Sequence, residues 1–356
     1  MLRAAVVSIT LAIAVSACAS GGRPVTGDID TMMERYNGNV PGAALLVVHD
    51  GRAVIRKAYG LANVESNVSA TPETNYRLAS VTKQFTAASI LLLAEDGKLS
   101  LGDPIRKWFP SLPDAVDSVT ITQLLSHTSG IVDYEDVMPE GSTAQVHDSD
   151  VLHLLESQDT TYFKPGSSYR YSNSGYSLLS LIVQRASGKT FATFLHDRIF
   201  KPLGMSNSVA YEEGISTVAN RAYGYTLRDG KWMRKDQSTT SAVLGDGGIY
   251  TSIDDLIKWD AALYDSRLLS DESRRLAFTP HTATNEPGVQ YGFGWMISGD
   301  AIWHSGETSG FRNVIVRYPK SHVTVVILTN RDGPGPGTTA KEIARKFLAN
   351  PTTPDK

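Results

Sequence analysis

Ser80-Val81-Thr82-Lys83 sets a hydroxyl and an amine at the start of an apolar run that continues to Glu95. On a helix this spacing puts both side chains on one face. A serine hydroxyl becomes a nucleophile when a neighbouring base takes its proton. A lysine amine can be that base once burial or nearby charge lowers its pKa from about 10.4. The free N–H groups of a helix start can meanwhile stabilise a developing oxyanion. Alone, the tetrapeptide describes equally well an N-cap serine followed by a solvated lysine.

Two further groupings carry chemistry. Tyr171-Ser172-Asn173 stands at the head of a second helical segment. A tyrosine shuttles protons if adjacent cations favour its phenolate, and an asparagine amide can hold a substrate carbonyl or a lysine. A plain turn in which Ser172 or Asn173 caps the helix fits the same residues. Later, His304-Ser305-Gly306-Glu307 lies on a short strand. Glycine lets a substrate backbone approach that strand, and the Glu307 N–H could be a second oxyanion donor. His49-Asp50-Gly51 repeats the His-x-Gly pattern but falls in a hairpin turn.

The elements that position these groups follow from periodicity and turn chemistry. After a helical candidate over Asp28 to Tyr36, two apolar strands, Ala43 to Val48 and Ala53 to Ala58, flank Asp50-Gly51, a tight-hairpin signal. The far end supplies strands Ile302 to Glu307, Asn313 to Tyr318 and the β-branched His322 to Thr329, then a closing helix from Thr338 to Leu348. Between them, roughly residues 75 to 290 read mainly as helices: Val81 to Glu95, Ser149 to Ser157, Ser174 to Ala186, Phe191 to Phe200 and Ile253 to Tyr264. The expected fold is α+β. An antiparallel sheet built from both chain termini is flanked by helices, and a large helical lobe is inserted between strands two and three. A cleft belongs where the lobes meet.

In order and spacing the three groupings resemble the serine β-lactamase and penicillin-binding-protein superfamily. The class C-like branch, with Tyr-x-Asn, is similar too in Leu124-Leu125-Ser126-His127-Thr128-Ser129-Gly130, Gly247-Gly248-Ile249-Tyr250-Thr251-Ser252 and Tyr291-Gly292-Phe293-Gly294-Trp295. That branch includes β-lactamases, D-amino-acid-releasing peptidases and esterases. The resemblance implies Ser80 as the acylated nucleophile, Lys83 and Tyr171 as its proton carriers, and Asn173 as a contact to substrate and Lys83. His304, Ser305, Gly306 and Glu307 would bind substrate, with the N–H groups of Ser80 and Glu307 as the oxyanion hole. It implies acyl transfer to water from an amide, lactam or ester. His304 departs from the lysine usual in β-lactamases and DD-peptidases of the superfamily. A histidine is mostly neutral at pH 7, so carboxylate recognition weakens, and an esterase or D-amino-acid peptidase is expected over an efficient β-lactamase. Arg312 reads as a solvated strand arginine and His127 as a hydrogen-bonded structural histidine. The other reading of the chain is a catalytically inactive module that binds cell-wall peptides or a protein on the same fold.

Composition narrows the partners. With 34 Lys+Arg against 37 Asp+Glu and no basic run, nucleic acid is excluded as an expected partner. One cysteine rules out a disulfide framework, and the eight histidines form no His-Glu-x-x-His, so no metal or other cofactor is expected. That cysteine follows Val15-Ser16-Ala17 at the end of a short apolar run. Residues 1–17 read as a signal peptide, Cys18 as a lipid attachment site and 18–27 as a tether to a hydrolase domain over 28–350. The expected setting is an exported, lipid-anchored envelope protein on the periplasmic side, at the outer membrane in a Gram-negative cell. Its acyl donor is a small molecule or peptide, peptidoglycan-derived ones included.

Overall fold

The computed structural model describes residues 25–349. The segment read as a signal peptide and Cys18 lie outside them. The tether expected over 18–27 meets them only at 25–27, where helix α1 (Val25–Met33) has already begun. No helix among the described residues is long and apolar enough to cross a membrane.

The main sheet is antiparallel and eight-stranded. Its strands are β1 (Ala43–His49), β2 (Arg52–Tyr59), β3 (Thr282–Ala283), β4 (Gln290–Tyr291), β5 (Met296–Ser298), β6 (Ala301–Thr308), β7 (Phe311–Tyr318) and β8 (Val323–Thr329), in the order β3-β4-β5-β6-β7-β8-β1-β2. The two chain ends meet where β8 pairs with β1, from Ala43 opposite Thr329 to His49 opposite Val323. Both strands are buried along their whole length, so they read as continuous apolar runs rather than alternating ones. Ala44, Leu46, Val326 and Leu328 pack under the helical lobe. Their neighbours Leu45, Val47, Val325 and Ile327 pack under α1 and the C-terminal helix. Truncating Leu46, which is fully buried, to alanine would cost about 2–5 kcal/mol. Asp50 and Gly51 turn β1 into β2 with φ of 49 and 72, the pair of positive values that a two-residue hairpin needs.

The inserted lobe centres on α2 (Lys83–Glu95), buried from Lys83 to Leu93 without a polar stripe, as expected of a lobe's core helix. Against it lie α3 (Asn173–Ser187), closed by Gly188 in the left-handed region, and α4 (Leu244–Gly247). The C-terminal helix is α5 (Gly337–Leu348). The expected α+β plan holds, with two amendments. The first sheet strand after the lobe is β3, inside the range assigned to the lobe, and β3 to β5 have only two or three residues each. Runs that short carry no readable alternation. The lobe also holds a three-stranded sheet, Tyr76–Arg77, Ile249–Thr251 and Val209–Ala210, which braces the approach to Ser80.

Candidate active site

Ser80 lies in a 3-10 turn, Ala79–Thr82, that runs straight into α2. With three residues per turn, positions i and i+3 eclipse, so Ser80 and Lys83 face each other. The turn is bolted from two sides. Asn313 of β7 donates to the carbonyls of Arg77 (2.7 Å) and Leu78 (3.3 Å), while the Leu78 N–H reaches Ile249 O at 2.8 Å. Ala79, just before the candidate nucleophile, has φ 51, a backbone strain of about 1–2 kcal/mol that this bracing holds.

Lys83 is fully buried, yet its amine has three partners: Ser80 Oγ at 3.3 Å, Asn173 Oδ1 at 2.8 Å and the main-chain oxygen of Asp246 at 3.1 Å. The last two can only accept hydrogen bonds. A neutral amine with two N–H bonds therefore spends both on them, and its lone pair faces Ser80 Oγ. Burial drives the Lys83 pKa down, to about 8, against the opposing pull of Asp246, Asp133 and Glu135. The amine is thus both aimed and tuned toward proton acceptance.

Tyr171 joins them, with Lys83 Nζ 4.8 Å from its ring centroid. Burial pushes this phenol up, and the acids Asp246, Asp133 and Glu135 push it further. The Ser80 hydroxyl lies close enough to favour ionisation, but the phenol makes no hydrogen bond among the described residues. The adjacent cation therefore does not produce a resting phenolate; Tyr171 is available as a proton donor. Its loop is set by His127, whose Nδ1 accepts from the Ser172 N–H at 3.1 Å and whose ring lies 4.3 Å from that of Tyr171. Burial and the neighbouring Lys83 and His304 hold the His127 pKa well below 6.5. His127 is thus hydrogen-bonded within the loop, as expected of a structural histidine. Ser172 caps α3 through the Gly175 N–H, and the Asn173 N–H is taken by Asp133 at 2.7 Å.

Strand β6 forms the opposite wall. Beyond Trp303 its pairing with β5 ends, so the edge from His304 to Thr308 is open on that side. A Cβ on Gly306 would sit 2.1 Å from Leu78 O and 3.2 Å from Ser80 N. Glycine is required for this close approach, which brings the Ser80 N–H alongside the strand that carries the Glu307 N–H. The His304 side chain is 2% exposed. Its Nδ1 is 2.6 Å from Ser305 O, an obligate acceptor, so Nε2 is the atom that accepts from the Tyr291 hydroxyl at 3.1 Å. Burial takes its pKa down to about 3; the ring is neutral and its nitrogens are committed.

The residues alternate along β6, and this separates the remaining candidates. His304 faces Ile315 on the lobe side, whereas Ser305 opposes Val314, which packs beneath the terminal helices. The Ser305 and Glu307 side chains thus turn away from Ser80, and these positions offer the site their backbone. Glu307 pairs instead with Arg312 at 3.2 Å. Arg312, also bonded to Thr308 O and Phe311 O, is only 22% exposed; it is a tethered side chain rather than a solvated one.

Three acids near Lys83 have no counterpart among the residues picked out by motif. Glu135, open to solvent on one side, accepts from Asn173 Nδ2 at 3.4 Å, and partial burial of its carboxyl, then the neighbouring Asp133, pushes its pKa up. Asp133 and Asp246 complete the set. Asp246 immediately precedes the Gly-Gly pair, and a lone carboxylate within that buried stretch was the available signal. Among the described residues no group of three or more His, Cys, Asp or Glu is arranged to hold a metal ion.

Comparison with known proteins places these features in context. A family model described as Beta-lactamase matches residues 26–349. Penicillin-binding protein 4* of Bacillus subtilis is 30% identical over 322 residues, 85% of this chain and 70% of the relative. The chain spans 62% of the length of further relatives at the same identity. Among solved structures, the octameric penicillin-binding protein homologue from Pyrococcus abyssi is 28% identical with a TM-score of 0.80, over 93% of this chain and 78% of that one. D-amino acid amidase from Ochrobactrum anthropi shares the fold at 23% identity and a TM-score of 0.78, over 92% and 99%.

Proposed function

From the premise that the chain belongs to the β-lactamase family, we propose that it is a serine hydrolase that works through an acyl-enzyme on esters and on amides or peptides of D-amino acids. The observation that carries this reading is the amine of Lys83, buried, 3.3 Å from Ser80 Oγ and with its two other partners obligate acceptors, so that in its neutral form the lone pair is left for Ser80. In acylation Lys83 takes the Ser80 proton as Oγ attacks the carbonyl carbon. The Ser80 and Glu307 N–H groups stabilise the oxyanion, each such donor being worth about 3–4 kcal/mol. The Tyr171 phenol protonates the leaving group and is reprotonated from Lys83. Water then attacks the acyl-enzyme, its proton passing to the same pair, and Ser80 is restored. A cleft that served only to bind would gain nothing from a buried amine aimed at a hydroxyl.

Substrate preference follows from charge. His304 is neutral, Arg312 is tied to Glu307, and Glu135 stands at the mouth. This wall attracts neutral or cationic acyl donors and repels those with a carboxylate beside the reacting carbonyl. The test is hydrolysis of a p-nitrophenyl ester, a D-amino-acid p-nitroanilide and nitrocefin. The ester and the anilide should turn over well above the Ser80→Ala control, with nitrocefin slowest. Nitrocefin as the best substrate would overturn the charge argument, and no turnover of any of the three above the control would overturn the hydrolase reading. Export with lipidation at Cys18 is proposed as well, from the sequence pattern around that residue.

A further inference from the structure

Asp246 is a titratable group that the mechanism above leaves unused. Its helix, α4, is wedged between the Ser80 turn and helices α2 and α3. The start of α4 is fixed by Asp148, whose carboxylate accepts from the N–H groups of Leu244 (2.9 Å) and Gly245 (3.1 Å) and from the Ser180 hydroxyl (2.8 Å). The Asp246 main chain thereby meets Lys83, while its carboxylate, on a residue 8% exposed, receives one long hydrogen bond, from the Tyr134 hydroxyl at 3.3 Å. Among the described residues no lysine or arginine forms an ion pair with it. A buried carboxylate so thinly satisfied needs a compensating charge, and the amine that bonds the main-chain oxygen of the same residue, Lys83 at 3.1 Å, is the cation at hand.

Resting on the hydrolase reading, we propose that Asp246 is a positioning residue for the base: its carboxylate is the internal counter-charge that governs at what acidity Lys83 gives up its proton to become the acceptor for Ser80. The other groups around the amine are less suited to this role. Asp133 is engaged by the N–H groups of Asn173 and Glu135, and Glu135 faces solvent at the mouth. His127 and His304 are held neutral by burial, and Tyr171 and Tyr176 are held as phenols. Asp148, which also faces Asp246 electrostatically, is occupied in capping α4. Of the charges that support the protonated amine, Asp246 comes first; burial raises the pKa of its own carboxyl to about 7, and Lys83 is the group that opposes this rise.

The experiment is the rate of Ser80 labelling by a fluorophosphonate from pH 5 to pH 10. Asp246→Asn keeps the shape and can still meet Tyr134, but removes the charge. Neutral Lys83 then persists to lower pH, so the acid limb should move down by about one unit, and labelling at pH 6 should rise about tenfold. Asp246→Glu should leave the limb near its wild-type position. A limb that stays put or moves up in Asp246→Asn, or a change in plateau alone, overturns the proposal and leaves the residue a structural one. In the wild-type protein, the Asp246 13Cγ resonance should respond to the titration step seen at Lys83 Cε. A flat response there overturns the proposal without any variant. Absence of labelling in the wild type would instead overturn the hydrolase reading, and this inference with it.

Discussion

Replacing His304 with glutamine tests the claim that the strand facing Ser80 carries no cation. The ring is 2% exposed and both nitrogens are bonded within the protein. Its pKa is lowered from 6.5 to about 3, first by burial and then by Lys83, against the pull of the Ser305 carbonyl. The unfolded chain thus binds the proton below pH 6.5 while the folded one does not, and stability is lost as pH falls below that value. The difference integrates to about 2 kcal/mol at pH 5 relative to neutrality, rising toward about 3 kcal/mol at pH 4. His127 contributes in the same direction, so the variant must be subtracted from the wild type. Urea unfolding at pH 7 and pH 5 should show the wild type losing about 2 kcal/mol more than His304→Gln. Equal losses, or a His304 imidazole resonance that titrates near its ordinary value, would refute the reasoning. A cation would then be available beside Ser80 at mildly acidic pH.

Gly306→Ala drives a methyl group into Leu78 O, so β6 must withdraw from the Ser80 turn. Fluorophosphonate labelling should slow by about 10²–10³ while the circular dichroism spectrum is retained; labelling at the wild-type rate would remove β6 from the site. Glu135→Gln should lower kcat/KM for a D-amino-acid p-nitroanilide about tenfold and leave a p-nitrophenyl ester unchanged, and equal effects on both would deny Glu135 a part in charge selection. Cys18→Ser should abolish incorporation of radiolabelled palmitate in cells and release the protein from membranes; undiminished membrane association would contradict lipidation at that residue.

Motif spacing and the terminal strands were readable because each rests on local chemistry. A three-residue offset makes Ser80 and Lys83 neighbours in any helical turn, and the β-branched run ending at Thr329 has little alternative to a buried strand. The short strands β3 to β5 were not readable, since two or three residues acquire strand geometry from the neighbour they pair with. Ser305 and Glu307 illustrate a different gap. Their motif predicts proximity, but the side of the strand on which each side chain falls depends on register, and register is set by pairing with β7. Arg312 reads as solvated in the sequence because its partner Glu307 lies opposite it on the neighbouring strand. The acids near Lys83 arrive from two separate segments, Asp133 with Glu135 in one and Asp246 in the other. Only the assembled lobe makes them one electrostatic unit.

The central claim is that Lys83 activates Ser80. Its most direct measurement is the intact mass and labelling rate, with a fluorophosphonate, of the wild type, Ser80→Ala and Lys83→Met, each checked for a folded spectrum. The account predicts one label on the wild type, none on Ser80→Ala, and a rate lower by about 10²–10⁴ for Lys83→Met. Lys83→Met labelling at the wild-type rate, or Ser80→Ala still taking up the label, would contradict it.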